Sequence, residues 1–336
     1  MSTTRRREGP ERAIGEDPLA GVGDLLREAT TRLRVSDGVP LILAVSGGAD
    51  SMAMLQATAT VALDTGWRLT VAHLDHALRP DSADDARFVA DAAAALGLLY
   101  RVRRTDVAAL AASRGEGFEA AGRRARYDFF DEVADEVGPG ALILTAHTAD
   151  DQVETILLHL ARGSGLAGLR GIAERRGRLV RPLLRARRAD LRKALDDAGI
   201  EYRDDPTNAD VSFARNRARA ELVPALERLH TGAIPSVARL ARLIAEDDDL
   251  LETLASAALA SRRRPDGLVD WSDPPAPALA RRALRQAAGD PAPTAERIEA
   301  LDAAARGTRG GVTIELGAGR IATVRRRRIS FAKLTE

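Results

Sequence analysis

Continuous apolar runs alternate, through the first half of the chain, with segments whose apolar residues recur at helical spacing. Residues 40–45, Pro-Leu-Ile-Leu-Ala-Val, form an unbroken apolar run that ends in Ser-Gly-Gly. A buried parallel strand feeding a tight turn has this pattern. Residues 51–63 then carry helical spacing, residues 68–74 predict a second strand, and residues 82–96 a second helix. Ser82 is placed to cap that helix and Gly97 to stop it. Residues 100–104 predict a third strand, and residues 117–137 a helix that ends at Gly138-Pro139-Gly140. Residues 141–145 repeat the buried-strand pattern. The helix predicted over 150–161 opens on carboxylates, which suit its positive end.

This β-α alternation predicts an α/β fold: a doubly wound, mostly parallel, Rossmann-like sheet with right-handed crossovers. In such sheets ligands sit beyond the carboxyl ends of the strands. Before it, residues 1 to about 20 show no pattern, and a short helix is predicted over 23–33. From 187 to about 229 the pattern is helical around the loop Asp204-Asp205-Pro206-Thr207-Asn208. A long helix bearing Leu240, Leu243, Leu250, Leu251 and Leu254 follows, then a Pro-rich loop over 273–277. The tail predicts a β-meander with strands at 312–316, 320–324 and 328–331. The expected organisation is a flexible extension (1–38), a catalytic domain (39–229), and a helical linker with a smaller α+β domain that binds nucleic acid (230–336).

Composition narrows the chemistry. Among 336 residues, 45% are hydrophobic but only 3% aromatic, so the core must be built from Ala, Leu, Val and Ile. No apolar run approaches the roughly 18–20 residues that span a bilayer. The first 17 residues mix charges without an apolar stretch, which predicts a cytoplasmic protein. The chain has no cysteine, which excludes disulfides, Cys-ligated zinc, iron–sulfur clusters and thiol nucleophiles. Net charge is +1, yet only Lys193 and Lys333 among the 50 basic residues are lysines. Arginine clusters at 101–104, 185–188, 262–264 and 325–328 admit two readings, a coding bias or a track for a nucleic-acid backbone.

The loop Ser46-Gly47-Gly48-Ala49-Asp50-Ser51 is the first candidate site. Adjacent glycines let backbone N–H groups approach phosphate oxygens, Ser46 and Ser51 add hydroxyls, and the next helix presents its positive end. Asp50 suits a phosphate cradle only if a magnesium ion neutralises it. An ordinary strand-to-helix turn is the plain alternative. No Gly-Lys-Ser/Thr is present, so a Walker loop is absent. Gly163-Ser-Gly165-Leu-Ala-Gly168 matches the dinucleotide pattern but follows a helix rather than a strand, so its context fails. Two polar groups fall at other strand ends: His73, Asp75 and His76, and then His147, Asp150, Asp151 and Glu154. In the second group Asp150 and Glu154 share a helical face, and Asp151 and Glu154 are i, i+3 neighbours. Such clustered carboxylates suit magnesium or a substrate ammonium, or simply a helix N-terminus. Arg123, Arg126, Arg215 and Arg219 are candidates for stabilising developing phosphate charge, or solvated surface groups.

The Ser46–Ser51 loop resembles the signature of the N-type ATP pyrophosphatases. More of the chain, about 40–224, resembles the tRNA(Ile)-lysidine synthase family. The resemblance rests on the segments His73-Leu-Asp75-His76-Ala-Leu-Arg79-Pro80, Glu119 to Tyr127 and Ala146 to Thr155, then on Arg162 to Leu169, Arg181-Pro182-Leu-Leu, Asp205 to Asn208 and Arg215 to Arg219. Gly122 stands where the family usually shows Ala, and Thr148 where a second His is often seen.

The resemblance implies an enzyme that uses ATP and Mg2+ to ligate free L-lysine to C2 of the wobble cytidine in the CAU anticodon of tRNA(Ile). Adenylated cytidine is the intermediate, AMP and pyrophosphate the by-products, and lysidine then reads the codon AUA as isoleucine. It implies that Ser46, Gly47, Gly48, Ala49, Asp50, Ser51, His73, Asp75 and His147 bind ATP. His76, Arg79, Asp150, Asp151 and Glu154 would meet lysine or cytidine, and Asp50 and Asp151 the metal. Asp50, Arg123, Arg126, Asp151, Arg215 and Arg219 would act in catalysis. No membrane or protein partner is expected, and a monomer or homodimer suffices. The alternatives are a tRNA thiolase, an amide-forming adenylating synthetase, or a non-catalytic nucleotide- or tRNA-binding module. The absence of cysteine weighs against sulfur transfer.

Overall fold

A computed structural model describes residues 17–77, 82–204, 213–307 and 311–334. The chain divides into two compact units, residues 1–241 and 242–336. The first is built on a six-stranded sheet of order β3-β2-β1-β4-β6-β5. Its strands are β1 (Pro40–Ala44), β2 (Arg68–Asp75), β3 (Leu99–Arg104), β4 (Leu142–Thr145), β5 (Arg175–Arg176) and β6 (Leu179–Val180). All neighbours run parallel except β5, which returns antiparallel against β6. This is the mostly parallel, doubly wound sheet that the alternation predicted.

The sheet is covered on both faces, which explains why its central strands are apolar without alternation. Leu41, Leu43, Val71 and Leu144 point into one cluster with Leu26, Met52, Leu55 and Leu191. Those partners lie on α1 (Ala20–Arg32), α2 (Ala49–Thr65) and α8 (Arg188–Ala198). Ile42, Ala72, Leu74 and Ile143 point the other way, against Phe129, Phe130 and Val133 of α5 (Phe118–Val137). Helix α1 is therefore part of the core: Leu26 is fully buried and Arg27 pairs with Asp64 of α2 at 2.6 Å.

Helix α3 (Ser82–Ala95) follows β2, and α4 (Val107–Arg114), which the sequence pattern did not reveal, follows β3. Gly97, with φ +66, ends the turn after α3. Ser82 opens α3, but its buried hydroxyl has no hydrogen-bond partner among the described residues. Helix α6 (Ala149–Ala161) follows β4, and the short α7 (Leu166–Leu169) contains Gly168. After α8 come α9 (Ala214–Arg217), a π turn at Ala218–Leu222 and α10 (Val223–Leu229). The loop at 205–208 and residue Arg79 lie outside the described residues.

Helix α11 (Ala233–Ala260) is the long helix expected. Leu240, Leu243, Leu250 and Leu254 are exposed on it, while Ala255 and Leu259 enter the core of the second unit. That core centres on the fully buried Trp271. It is enclosed by α12 (Pro277–Ala288), α13 (Ala295–Arg306) and an antiparallel sheet of order β7-β10-β9-β8. The strands are β7 (Val269–Asp270), β8 (Val312–Gly317), β9 (Arg320–Arg325) and β10 (Arg328–Lys333), so the meander forms as predicted. No helix among the described residues is long and apolar enough to cross a membrane.

Candidate active site

The loop between β1 and α2 is fixed by its own hydroxyls. Ser51 Oγ donates to the Gly48 carbonyl at 2.8 Å and accepts from the Ser46 backbone N–H at 3.2 Å. Ser46 Oγ lies 3.2 Å from Ser51 Oγ. Gly47 adopts φ +91, a conformation closed to L side chains at low cost. Its carbonyl accepts the Arg203 backbone N–H at 2.9 Å, while the Arg203 guanidinium lies 5.1 Å from the centre of the Phe88 ring. Gly48 is the N-cap of α2, and no side chain caps that helix end. Its first-turn N–H groups have no partner within the helix, so the loop is shaped to receive an anion.

The side chains at the carboxyl end of β2 are occupied within the protein. His73 is buried, and its Nδ1 lies 2.8 Å from the Val45 carbonyl, so it supports the strand that enters the loop. Burial pushes its pKa down, against the pull of the Val45 carbonyl and Asp75. Asp75 Oδ1 accepts the Ala77 backbone N–H at 2.8 Å, closing the turn after the strand. His76 Nε2 meets Arg126 Nη2 at 2.9 Å, and Arg123 lies over the Tyr127 ring. A Cβ on Gly122 would meet Val107 at 3.4 Å and the His76 ring at 3.7 Å, ordinary contact, so alanine would also fit there.

Helix α6 begins with a capping box. Thr148 Oγ1 accepts the Asp151 N–H at 3.4 Å, and Asp151 Oδ2 accepts the Thr148 N–H at 2.8 Å. Thr148 thus serves as a helix cap. His147 is held toward Thr145, with Nδ1 3.0 Å from its hydroxyl. Burial lowers its pKa to about 4; Asp151 opposes the shift, and Arg181, Arg215 and Arg123 add to it. His147 is therefore neutral near pH 7.

The carboxylates of α6 converge on three arginines. Glu154 is fully buried. Its Oε1 accepts from Arg188 Nη1 at 3.2 Å and Arg219 Nε at 2.7 Å. Its Oε2 accepts from Arg215 Nε at 2.9 Å and Arg219 Nη2 at 3.2 Å. Asp151 Oδ1 accepts from Arg188 Nη2 at 3.0 Å and Arg215 Nη2 at 3.1 Å. Burial alone would raise the Asp151 pKa, but Arg188, Arg215, His147 and the Thr148 N–H together hold it below the usual carboxylate range. Arg215 sits on α9 and Arg219 on the π turn after it; such turns recur at functional sites. Asp150 turns aside from this group: its Oδ2 accepts the Arg188 backbone N–H at 2.8 Å and fixes the start of α8.

Arg188, read in the sequence only as one of an arginine cluster, joins this group to the loop. Its Nε donates to Asp50 Oδ2 at 3.0 Å, so one guanidinium bridges Asp50, Asp151 and Glu154. Burial disfavours its charge, but Asp151, Asp50 and Glu154 outweigh that and raise its pKa. A signal for it existed in the sequence. Arg188 opens a helix, where a cation is electrostatically unfavourable unless carboxylates compensate. Asp50 Oδ1, by contrast, is buried with no partner among the described residues. Burial, opposed by Arg188 and reinforced by Asp151 and Asp150, raises the Asp50 pKa.

That orphaned oxygen, in the first turn of α2, fits a magnesium ion. Such ions are often held by one or two carboxylates with the remaining positions filled by phosphate and water. Asp151 fits less directly, because both its oxygens are engaged. Among the described residues no group of three or more His, Asp or Glu side chains is arranged to hold a metal alone.

Residues 25–226 match the family model described as a PP-loop domain. The chain is 46% identical over 233 residues to the tRNA(Ile)-lysidine synthase of Thermus thermophilus, covering 69% of this chain and 44% of that protein. It is 42% identical over 315 residues to the tRNA(Ile)-lysidine synthase of Salinispora tropica, covering 90% of this chain and 92% of that protein. It therefore spans less than half the length of the first relative and nearly all of the second. Among solved structures, a U34-tRNA thiolase from Methanococcus maripaludis superposes with a TM-score of 0.57 at 14% identity, over 73% of this chain and 89% of that one. That likeness concerns the fold alone.

Proposed function

Because the chain belongs to the tRNA(Ile)-lysidine synthase family, built on a PP-loop domain, we propose that it ligates lysine to C2 of the wobble cytidine in tRNA(Ile) at the expense of ATP. The observation that carries this reading is the union of an uncapped, glycine-turned helix end with a carboxylate–guanidinium cluster through Arg188. One half suits a polyphosphate and the other a small cationic substrate.

In this reading the α2 N-terminus and the Gly47–Gly48 turn hold the phosphates of ATP. Asp50 Oδ1 would hold magnesium, which would neutralise phosphate charge. The cytidine O2 attacks the α-phosphorus and pyrophosphate leaves; the lysine ammonium gives up a proton to solvent, its amine attacks C2, and AMP departs with the original oxygen. Without that activation C2 carries no adequate leaving group. Arg215 and Arg219, already aimed at the cluster, supply fixed positive charge where negative charge develops on phosphate. Asp151 and Glu154 are the acceptors for the substrate ammonium. His147, held neutral, adds no repulsion toward that cation. The wobble base must leave its stack to reach the site, as bases do in single-stranded RNA recognition.

A thiolase reading is disfavoured by chemistry: this chain has no cysteine to carry sulfur or ligate a cluster. The test is incorporation of labelled lysine into tRNA bearing a CAU anticodon, with ATP and magnesium. Label is expected in isoleucine tRNA and absent when the wobble cytidine is replaced by uridine. No label in either would overturn the proposal.

A further inference from the structure

Asp151 and Glu154 cannot receive a substrate ammonium as they stand. Both Glu154 oxygens accept two guanidinium N–H groups each, and both Asp151 oxygens are engaged. An arriving cation needs a lone pair that an arginine now uses, so one of the three guanidiniums has to yield. The three differ in where they can go. Arg215 and Arg219 contact Asp151 and Glu154 on α6. Arg188 also touches the phosphate loop helix, through Asp50 Oδ2 at 3.0 Å, and among the contacts of the described residues it is the one guanidinium of the three that does.

That contact is two residues beyond Gly48, on the first turn of α2, where phosphate would bind. The Arg188 backbone is meanwhile pinned by Asp150 at 2.8 Å, so its side chain can exchange partners without moving α8. Its side chain is 18% exposed, so it is open to such an exchange from the solvent side.

The count of acceptors favours the exchange. Asp50, Asp151 and Glu154 carry three negative charges against three guanidiniums, so the cluster is neutral as it stands. An added ammonium would make it cationic. Arrival of a polyphosphate gives Arg188 a second set of anionic oxygens in bidentate geometry, and frees one acceptor position each on Asp151 Oδ1 and Glu154 Oε1.

Resting on the function proposed above, we propose that Arg188 is a displaceable counter-ion: it occupies the ammonium-binding carboxylates until nucleotide phosphate draws it away, so that ATP and lysine bind with positive coupling. It is a positioning residue that makes the amine site conditional on the nucleotide. An amine held before ATP arrived would have nothing to attack, so the device orders the two substrates. Coupling is reciprocal, so lysine tightens nucleotide binding by the same factor.

The test is calorimetric titration of lysine into the full chain, with and without magnesium and a non-hydrolysable ATP analogue. Wild type is expected to bind lysine about tenfold more tightly with the analogue present, within the usual range of allosteric coupling. Norleucine, which lacks the ε-ammonium, should show no coupling. Arg188→Gln should bind lysine about equally with and without the analogue, because its carboxylates are already relieved of one guanidinium. Arg188→Lys, which keeps the charge but not the three-way bridge, should retain part of the coupling. It guards against loss of the glutamine variant through misfolding. For a test without any variant, pyrophosphate with magnesium should tighten lysine binding to wild type. Undiminished coupling in both variants, or no effect of pyrophosphate, would overturn the role of Arg188 while leaving the proposed reaction intact. If wild type bound no lysine under any condition, the substrate assignment itself would fall, and this inference with it.

Discussion

Replacing Glu154 by Gln tests whether the arginine cluster is held together by this one carboxylate. The side chain is 1% exposed and accepts four N–H bonds, two on each oxygen. A glutamine keeps the shape, but whichever way its amide is turned, an NH2 group faces two guanidinium donors. Three arginines then share one fewer counter-ion. Breaking a wholly buried pair in this way costs about 3–5 kcal/mol. Here the partners Arg188, Arg219 and Arg215 are 18%, 30% and 31% exposed, so water relieves part of that. A loss of about 2–3 kcal/mol is expected, or about 5–10 °C in Tm for a unit of this size. Trp67 belongs to the core of the first unit and Trp271 to that of the second, and they are the chain's two tryptophans. In a Trp271→Phe background, urea unfolding followed by Trp67 fluorescence reports the first unit. A change below about 0.5 kcal/mol, the range of ordinary surface substitutions, would refute the view that these charges are mutually dependent.

Two further outcomes follow from the same geometry. His147 titrates near 4 in the folded chain against 6.5 ordinarily, so between those values the unfolded chain binds more protons. Its contribution is constant above about pH 6.5 and falls by up to about 3 kcal/mol as the pH drops toward 4. His147→Gln should remove that slope in unfolding measured across this range, and an unchanged slope would show that His147 is not its source. Gly47→Ala at φ +91 should cost about 1–3 kcal/mol and weaken nucleotide binding. Gly48→Ala, whose Cβ would meet Ser46 Oγ at 3.6 Å and the Arg203 carbonyl at 3.8 Å, should unfold like wild type. Equal stability of the two variants would contradict the strained turn.

The parts of this fold that were legible in the sequence are those with a period. The run at 40–45 is apolar throughout because β1 is covered on both faces, by Leu41 and Leu43 on one side and Ile42 on the other. The tail meander shows the complementary case, with alternating burial along β9. Strands β5 and β6, at two residues each, are too short to carry any period. Strand order was not readable, because it depends on which faces α2, α5 and α8 cover rather than on any one segment.

The candidate site divides along the same line. The Ser46–Ser51 loop was visible because a turn with φ +91 calls for glycine. The joining of Asp50 to Glu154 was not, because it runs through Arg188, 138 residues from Asp50 and 34 from Glu154. Three arginines within residues 185–188 read as a coding bias or a nucleic-acid track, and only the position of Arg188 at the opening of α8 hints otherwise. Asp150 shows the converse. Its helical spacing groups it with Glu154, yet the fold spends it on the Arg188 backbone N–H.

The central claim is that an RNA carbonyl oxygen is activated by adenylation and then leaves with AMP. The direct measurement places a heavy-oxygen label at O2 of the wobble cytidine and analyses the AMP by mass spectrometry after one turnover with lysine. The account predicts that AMP carries the label, one atom for each lysine incorporated. Unlabelled AMP, or ADP and phosphate in its place, would contradict it.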